Sequence, residues 1–219
     1  MDRDALNAQQ EHWDSTFTEN EEMFGDEPSW PARKALDLLK REGNIRILEL
    51  GAGQGRDALF FAQKGSIVTA SDYSPHGLKE IEDKAKVRGL SKSISTAIHD
   101  VREALPFEDA SFDACYSHML FCMAMTTSEL EFLMEEIRRV LKPGGLNIYT
   151  VRHTGDVHYG KGIHRGEDMY EMNGFIVHFF NRDKVKHLAK GFRIECIEEF
   201  EEGPLPRKLF MVTLRKNGG

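Results

Sequence analysis

The chain is short of cysteine and proline and has no long apolar run, and these shortages exclude several classes of protein. Three cysteines in 219 residues, Cys115, Cys122 and Cys196, cannot build a closed disulfide framework. An odd number set among apolar neighbours is expected as buried thiols in a reducing cytoplasm. Cys122 has no nucleophile motif around it, so a small core residue is its commoner use. The most apolar stretch, residues 114–125, is broken by Ser117 and His118 and falls short of the roughly 20 apolar residues a membrane helix needs. Residues 1–20 are polar and acidic, so no leader peptide and no membrane association are expected. Positive charge is also scarce: 29 basic against 36 acidic residues leave a net charge of −7. No nucleic-acid partner held by phosphate attraction is therefore expected. His153, His158 and His164 are five and six residues apart, without the compact spacing of common zinc sites, so no metal is expected. Internal repeats and low-complexity tracts are absent.

With 40% apolar and 30% charged residues, the composition is that of an ordinary globule. The length suits one large domain, or one with small appendages. From residue 45 strand-like and helix-like segments alternate, the pattern of a parallel sheet covered by helices. Strands are expected at 45–50, 67–70, 94–98, 112–116 and 146–151, with a closing hairpin at 192–197 and 209–214 whose connection holds Gly203, Pro204 and Pro206. Helices are expected at 56–64, from Ser74-Pro75 to Gly89, and near 183–189. The clearest helix has capping-box spacing at Ser128 and Glu131, an apolar stripe through Leu130, Leu133, Met134, Ile137, Val140 and Leu141, and Pro143-Gly144-Gly145 as its stop. Residues 1–43 form an N-terminal extension with weak helical patterning around Leu6, Trp13 and Phe17 and a better helix from Pro31. Residues 152–174 read as a long connection rich in glycine and histidine, of a length that is usually functional or disordered.

The most informative stretch is Ile47-Leu48-Glu49-Leu50-Gly51-Ala52-Gly53-Gln54-Gly55-Arg56-Asp57. An apolar strand with an acid near its end breaks into alternating glycines and restarts as a helix, which brings bare backbone and a helix N-terminus to a ligand. A P-loop needs Gly-Lys followed by Ser or Thr, whereas this chain has Gly55-Arg56-Asp57. A dinucleotide fingerprint needs its third glycine one position later than Gly55. Asp57 would also repel a pyrophosphate at the helix start. A cationic ligand with an amino acid tail fits better.

Residues 45–215 resemble the class I S-adenosylmethionine-dependent methyltransferases. Glu49 to Gly55 is similar to their first motif, Asp72 closes the second strand, His99-Asp100-Val101 follows the third, and Phe112 to Ser117 resembles the fourth strand. Leu141-Lys142-Pro143-Gly144-Gly145 before the fifth strand is the most diagnostic piece. The resemblance implies an α/β fold, a Rossmann-like three-layer sandwich whose seven-stranded sheet is mostly parallel with an antiparallel last strand. It implies residues 44–219 as the S-adenosyl-L-methionine-binding domain and residues 1–43 as a lid.

The roles implied follow motif by motif. Gly51, Ala52, Gly53 and Gly55 would admit the methionine part of the cofactor, and Glu49 would anchor its ammonium group. Asp72, beside Tyr73, would accept both ribose hydroxyls; Asp100 and the Val101 amide would read adenine. The backbone at Ser117 would face the methionine tail. A narrower similarity, to small-molecule methyltransferases of the tellurite-resistance and thiopurine type, runs through His12-Trp13-Asp14 and Met23 to Trp30. It implies an aromatic lid of Trp13, Phe24 and Trp30. His118 and His153 are the candidates to take a proton from an acceptor, and Arg152 stands at the usual substrate-facing place. The expected function is methyl transfer to a small molecule. A protein or RNA acceptor, or a cofactor-binding regulator without catalysis, stays open.

Overall fold

Ile47, Leu48 and Leu50 are all fully excluded from solvent, and a strand buried on both faces needs cover above and below it. The computed structural model, which describes residues 3–20, 23–43, 46–203 and 207–218, supplies that cover. The chain opens with α1 (Arg3–Asn7), α2 (Gln9–Glu19) and α3 (Trp30–Arg41). Then β1 (Arg46–Leu50), α4 (Arg56–Gln63), β2 (Ile67–Asp72), α5 (Pro75–Val87), β3 (Ile94–Ile98) and β4 (Phe112–His118) alternate. They are followed by α6 (Thr127–Val140), β5 (Leu141–Arg152), β6 (Ile163–Gly166), β7 (Met169–Met172) and β8 (Phe175–His178). Last come α7 (Arg182–Leu188), β9 (Phe192–Glu202) and β10 (Arg207–Lys216).

The main sheet has seven strands in the order β3-β2-β1-β4-β5-β10-β9. Along β3-β2-β1-β4-β5 every adjacent pair is parallel, and β10 runs antiparallel to both β5 and β9. The architecture is thus the expected Rossmann-like sandwich with its last strand reversed. On one face, Leu133 and Ile137 of α6 and Val185 of α7 pack with Tyr149 and Val212. On the other, Leu39 of α3, Phe61 of α4 and Ile81 of α5 pack with Ile47, Val68 and Ile148. From β1 the chain goes outward to β2 and β3, then crosses back to β4. The strand order reverses between β1 and β4, which leaves a crevice at their carboxyl ends.

Several local expectations change. The first strand is described from Arg46, Ile45 lying outside the described residues, as do Pro204 and Pro206 of the hairpin connection. α6 starts earlier than the Ser128–Glu131 spacing suggests. Thr126 is its cap: its Oγ1 accepts the Glu129 amide at 3.2 Å, and the Glu129 carboxylate accepts the Thr126 amide at 2.8 Å. Two overlapping boxes compete for one helix start, and Thr126 has the extended backbone a cap requires. The helix ends at Val140 rather than at Pro143; Leu141 is already extended and pairs with Phe112. Cys115 and Cys122 are buried as expected, but Cys196 is exposed, because it lies on β9 at the sheet edge.

Residues 152–174 are not a plain loop. β6 and β7 pair with β8 into a separate three-stranded antiparallel sheet. Met172 pairs with Phe175 across Asn173-Gly174, whose φ angles are 52° and 82°. Asn-Gly with both φ positive is the two-residue hairpin turn that matches strand twist, a signal present in the sequence. Among the described residues no helix is long and apolar enough to cross a membrane.

Candidate active site

After β1 the backbone turns through Gly51, Gly53 and Gly55 at φ 68°, 52° and 83°. A Cβ at position 55 would stand 2.4 Å from Ile81 Cγ1, and one at 51 would stand 3.0 Å from Leu120 Cδ1. Only glycine satisfies both demands at these positions. The turn is held to the end of β2: the Gly51 and Ala52 amides donate to the Ser71 carbonyl at 2.8 and 3.1 Å. The Gly53 amide donates to Asp72 Oδ2 at 2.8 Å. The other oxygen of Asp72 accepts the Ser74 amide at 2.9 Å, while Ser74 Oγ caps α5 by accepting the Gly77 amide at 3.1 Å.

A cavity of about 420 Å³ opens over this turn. Glu49 and residues 51–57 form its floor, and Asp72, Tyr73 and Val101 stand on one side. Trp13, Phe17 and Phe24 cover it, His118, Met119, Leu120 and Met123 line the opposite wall, and Glu202 and Arg207 lie at the far end. Glu49 is 3% exposed and its Oε2 has no hydrogen-bond partner among the described residues. Burial pushes its carboxyl well above the ordinary range, Asp57 and Asp72 add to that, and Arg56 opposes it. Burial also raises Asp72, against the lowering effect of the Ser74 and Gly53 amides. A carboxylate offers about four acceptor positions, so Asp72 keeps capacity on both oxygens after holding two amides.

Residues 47–145 match the family described as a methyltransferase domain. Residues 47–145 carry a methyltransferase domain. Malonyl-[acyl-carrier protein] O-methyltransferase of Erwinia pyrifoliae is 35% identical over 119 residues, which are 53% of this chain and 41% of that protein. This chain spans less than half the length of the curated relatives it matches. The solved 1,6-didemethyltoxoflavin-N1-methyltransferase of Burkholderia thailandensis, with 1,6-didemethyltoxoflavin and S-adenosylhomocysteine bound, shares the fold. Its TM-score is 0.76 at 17% identity, over 99% of this chain and 91% of that one. TehB from Haemophilus influenzae has a TM-score of 0.68 at 17% identity, over 94% of this chain and 67% of that one.

Within this methyltransferase domain not every expected site residue reaches the cavity. Asp100 is not among the lining residues and is clamped by Arg102: the guanidinium donates to its carboxylate at 2.6 and 3.0 Å and the Arg102 amide at 3.0 Å. Those bonds outweigh burial and hold Asp100 below the usual carboxylate range. Its neighbours His99 and Val101 do line the cavity. Ser117 is fully buried behind the wall, with its hydroxyl unpartnered among the described residues. Trp30 stacks on Phe200 with centroids 4.9 Å apart, outside the lining.

Arg152 and His153 are also outside. Arg152 Nη2 pairs with Asp156 Oδ1 at 2.6 Å. His153 stacks on Phe210 at 4.5 Å, and its Nδ1 accepts the Gly155 amide at 3.0 Å. The reason is that β5 keeps pairing with β10 as far as Arg152↔Leu209, which carries both residues past the crevice. Asp57, behind the turn, is structural: it accepts the Ser29 amide at 2.8 Å, the Ser29 hydroxyl at 2.7 Å and the Tyr116 hydroxyl at 3.1 Å.

Sequence reasoning missed Phe17, Met119, Met123, Glu202 and Arg207. Glu202 Oε2 is 3.3 Å from His118 Nε2 and 3.9 Å from Arg207 Nη2, and its Oε1 is 3.8 Å from Arg56 Nη2. Burial alone would raise Glu202, but the bond from His118 and the charges of Arg56 and Arg207 hold it below the ordinary range. No sequence spacing links Glu202 to His118; only the β9–β10 return brings them together.

Proposed function

We propose that this chain is a cytoplasmic S-adenosylmethionine-dependent methyltransferase acting on a small molecule. The observation that carries the reading is Glu49: a buried carboxyl group, one oxygen of which has no partner among the described residues, lining a glycine-rich cavity. Such a group calls for a cationic partner, and the ammonium of S-adenosylmethionine fits it. When bound, the cofactor supplies an electrophilic methyl group on a sulfonium.

The chain's own residues then take the following parts. Gly51, Ala52, Gly53 and Gly55 present bare backbone to the methionine portion, with the main chain at Ser117 behind it. Asp72 receives ribose hydroxyls beside Tyr73. The Val101 amide meets the adenine ring, and Asp100 meets its amino group by leaving Arg102. Trp13 and Phe24, from the 1–43 segment, cover the reacting end of the 44–219 domain. Phe17, Met119, Leu120 and Met123 exclude water, which an in-line displacement rewards with alignment and a dry path.

A cavity of about 420 Å³ is in the size range of small-molecule sites and supports a small acceptor. The names of relatives that act on demethylmenaquinone or 1,6-didemethyltoxoflavin favour the same class. Calorimetric titration with S-adenosylmethionine and S-adenosylhomocysteine tests the cofactor; failure to bind either overturns the reading. Methyl-labelled donor offered with small-molecule and macromolecular fractions of a cell extract tests the acceptor. Label found in protein or RNA alone would sink the small-molecule version.

A further inference from the structure

We infer that the acceptor is a neutral O–H or N–H compound and that Glu202, positioned by His118 and Thr150, is the base that takes its proton. This rests on the methyl-transfer reading above. The geometry separates the roles. His118 Nδ1 is 2.8 Å from Thr150 Oγ1, the residue paired with it across β4 and β5, and Thr150 Oγ1 also accepts the Met119 amide at 2.9 Å. His118 Nε2 is turned to Glu202. A carboxylate beside Nε2 favours the tautomer that carries its proton there, which leaves the Nδ1 lone pair to the Thr150 hydroxyl rather than to an acceptor.

Glu202 differs. Its contacts to His118, Arg56 and Arg207 run from 3.3 to 3.9 Å, longer than the 2.7–2.9 Å of a closed charge-assisted bond. A carboxylate with about four acceptor positions so loosely held can receive one more proton donor. It lines the cavity and its side chain is only 20% exposed. The three donors keep it ionised when an acceptor arrives. Met119, at φ 62°, is a non-glycine residue in the left-handed region; strain of this kind concentrates where a side chain must be aimed, here at the turn that follows His118.

The step balances without another reactant. An acceptor lone pair forms the bond to the methyl carbon, the carbon–sulfur bond breaks with its electron pair going to sulfur, and the acceptor's proton passes to a Glu202 oxygen. An acceptor that enters as an anion needs no base, so a role for Glu202 in taking a proton goes with a neutral acceptor.

The test uses the full chain with S-adenosylmethionine carrying a trideuterated methyl group, offered to a small-molecule cell extract, with products identified by mass spectrometry. Support is label on oxygen or nitrogen, a fall in kcat of about 100-fold or more in Glu202→Gln, and unchanged affinity for S-adenosylhomocysteine. Glu202→Asp, which keeps the charge, should recover part of the rate. Nitrogen-15 spectra of the imidazole give a readout free of turnover: the His118 Nε2 signal should move in Glu202→Gln, and His118→Gln identifies it. Label on sulfur, full turnover in Glu202→Gln or an unmoved His118 signal would each overturn the inference alone. No labelled product from a chain that binds S-adenosylhomocysteine would remove the methyl-transfer reading, and this inference with it.

Discussion

Asp72 reaches back over the glycine turn and accepts the Gly53 amide on Oδ2 at 2.8 Å, so the acid proposed for the ribose also clasps the backbone proposed for the methionine tail. Asp72→Ala should weaken S-adenosylhomocysteine binding by about 1–3 kcal/mol, as expected when a charged hydrogen-bonding group is lost. Urea unfolding should show a loss of stability as well, since the Gly53 and Ser74 amides lose their acceptor. Unchanged affinity in calorimetry would take Asp72 out of the site.

Glu49 predicts opposite effects on binding and on stability. Its carboxyl is raised in the folded chain by burial, then by Asp57 and Asp72. The native state therefore holds a proton that the unfolded state has released, and stability falls as pH rises from the ordinary 4.5 through the folded value. Glu49→Gln should flatten that decline, melting higher than the parent at neutral pH and no higher below pH 4.5. The same change should weaken cofactor binding by about 1.5–3 kcal/mol through loss of a charged bond. Melting curves across pH, paired with calorimetry, read both.

Gly55 and Gly65 separate steric conflict from backbone preference. Both have positive φ, 83° and 98°, but a Cβ at 55 meets Ile81 at 2.4 Å while one at 65 meets nothing within 4 Å. Gly55→Ala should cost about 2–4 kcal/mol and Gly65→Ala only about 1 kcal/mol. Equal midpoints in urea would contradict the contact with Ile81.

His178 predicts acid sensitivity away from the cavity. It is fully buried, donates from Nδ1 to the Met125 carbonyl at 2.7 Å, and faces Lys184 and Glu167. Burial, followed by the charge of Lys184, lowers it from 6.5 to about 4. A histidine depressed in the fold leaves the unfolded chain binding more protons, so its share of stability is present above pH 6.5 and lost as pH falls toward 4. The melting temperature should drop through that window, and His178→Gln should flatten the drop. Parallel profiles would rule His178 out as the cause.

Much of the site was legible because its parts are contiguous. Glu49, the three glycines and Asp72 sit where a strand ends and a helix begins, and short apolar runs mark those strands. Asp100 lies between the lining residues His99 and Val101, but its Arg102 clamp depends on rotamers that spacing does not encode. Arg152 and His153 are expected from their place after a strand, and position says nothing about which way a continuing strand carries its side chains. Trp30 is expected from the similarity of the 23–30 segment, which does not say where its ring packs. The Asn173-Gly174 hairpin was readable, yet a long glycine-rich stretch masked it.

By itself the sequence determined the order of strands and helices in the main sheet and its covering layers, the glycine turn and the acids that flank it, because these follow from backbone sterics and hydrophobic period within a few residues. Tertiary structure alone decided that Glu202 faces His118, that Phe17 covers Gly53, and that Cys196 is exposed. Those relations depend on how β10 inserts between β5 and β9 and on how α2 settles over the crevice. Long-range packing of this kind is set by the sum of many weak burial terms, and no local pattern carries that sum.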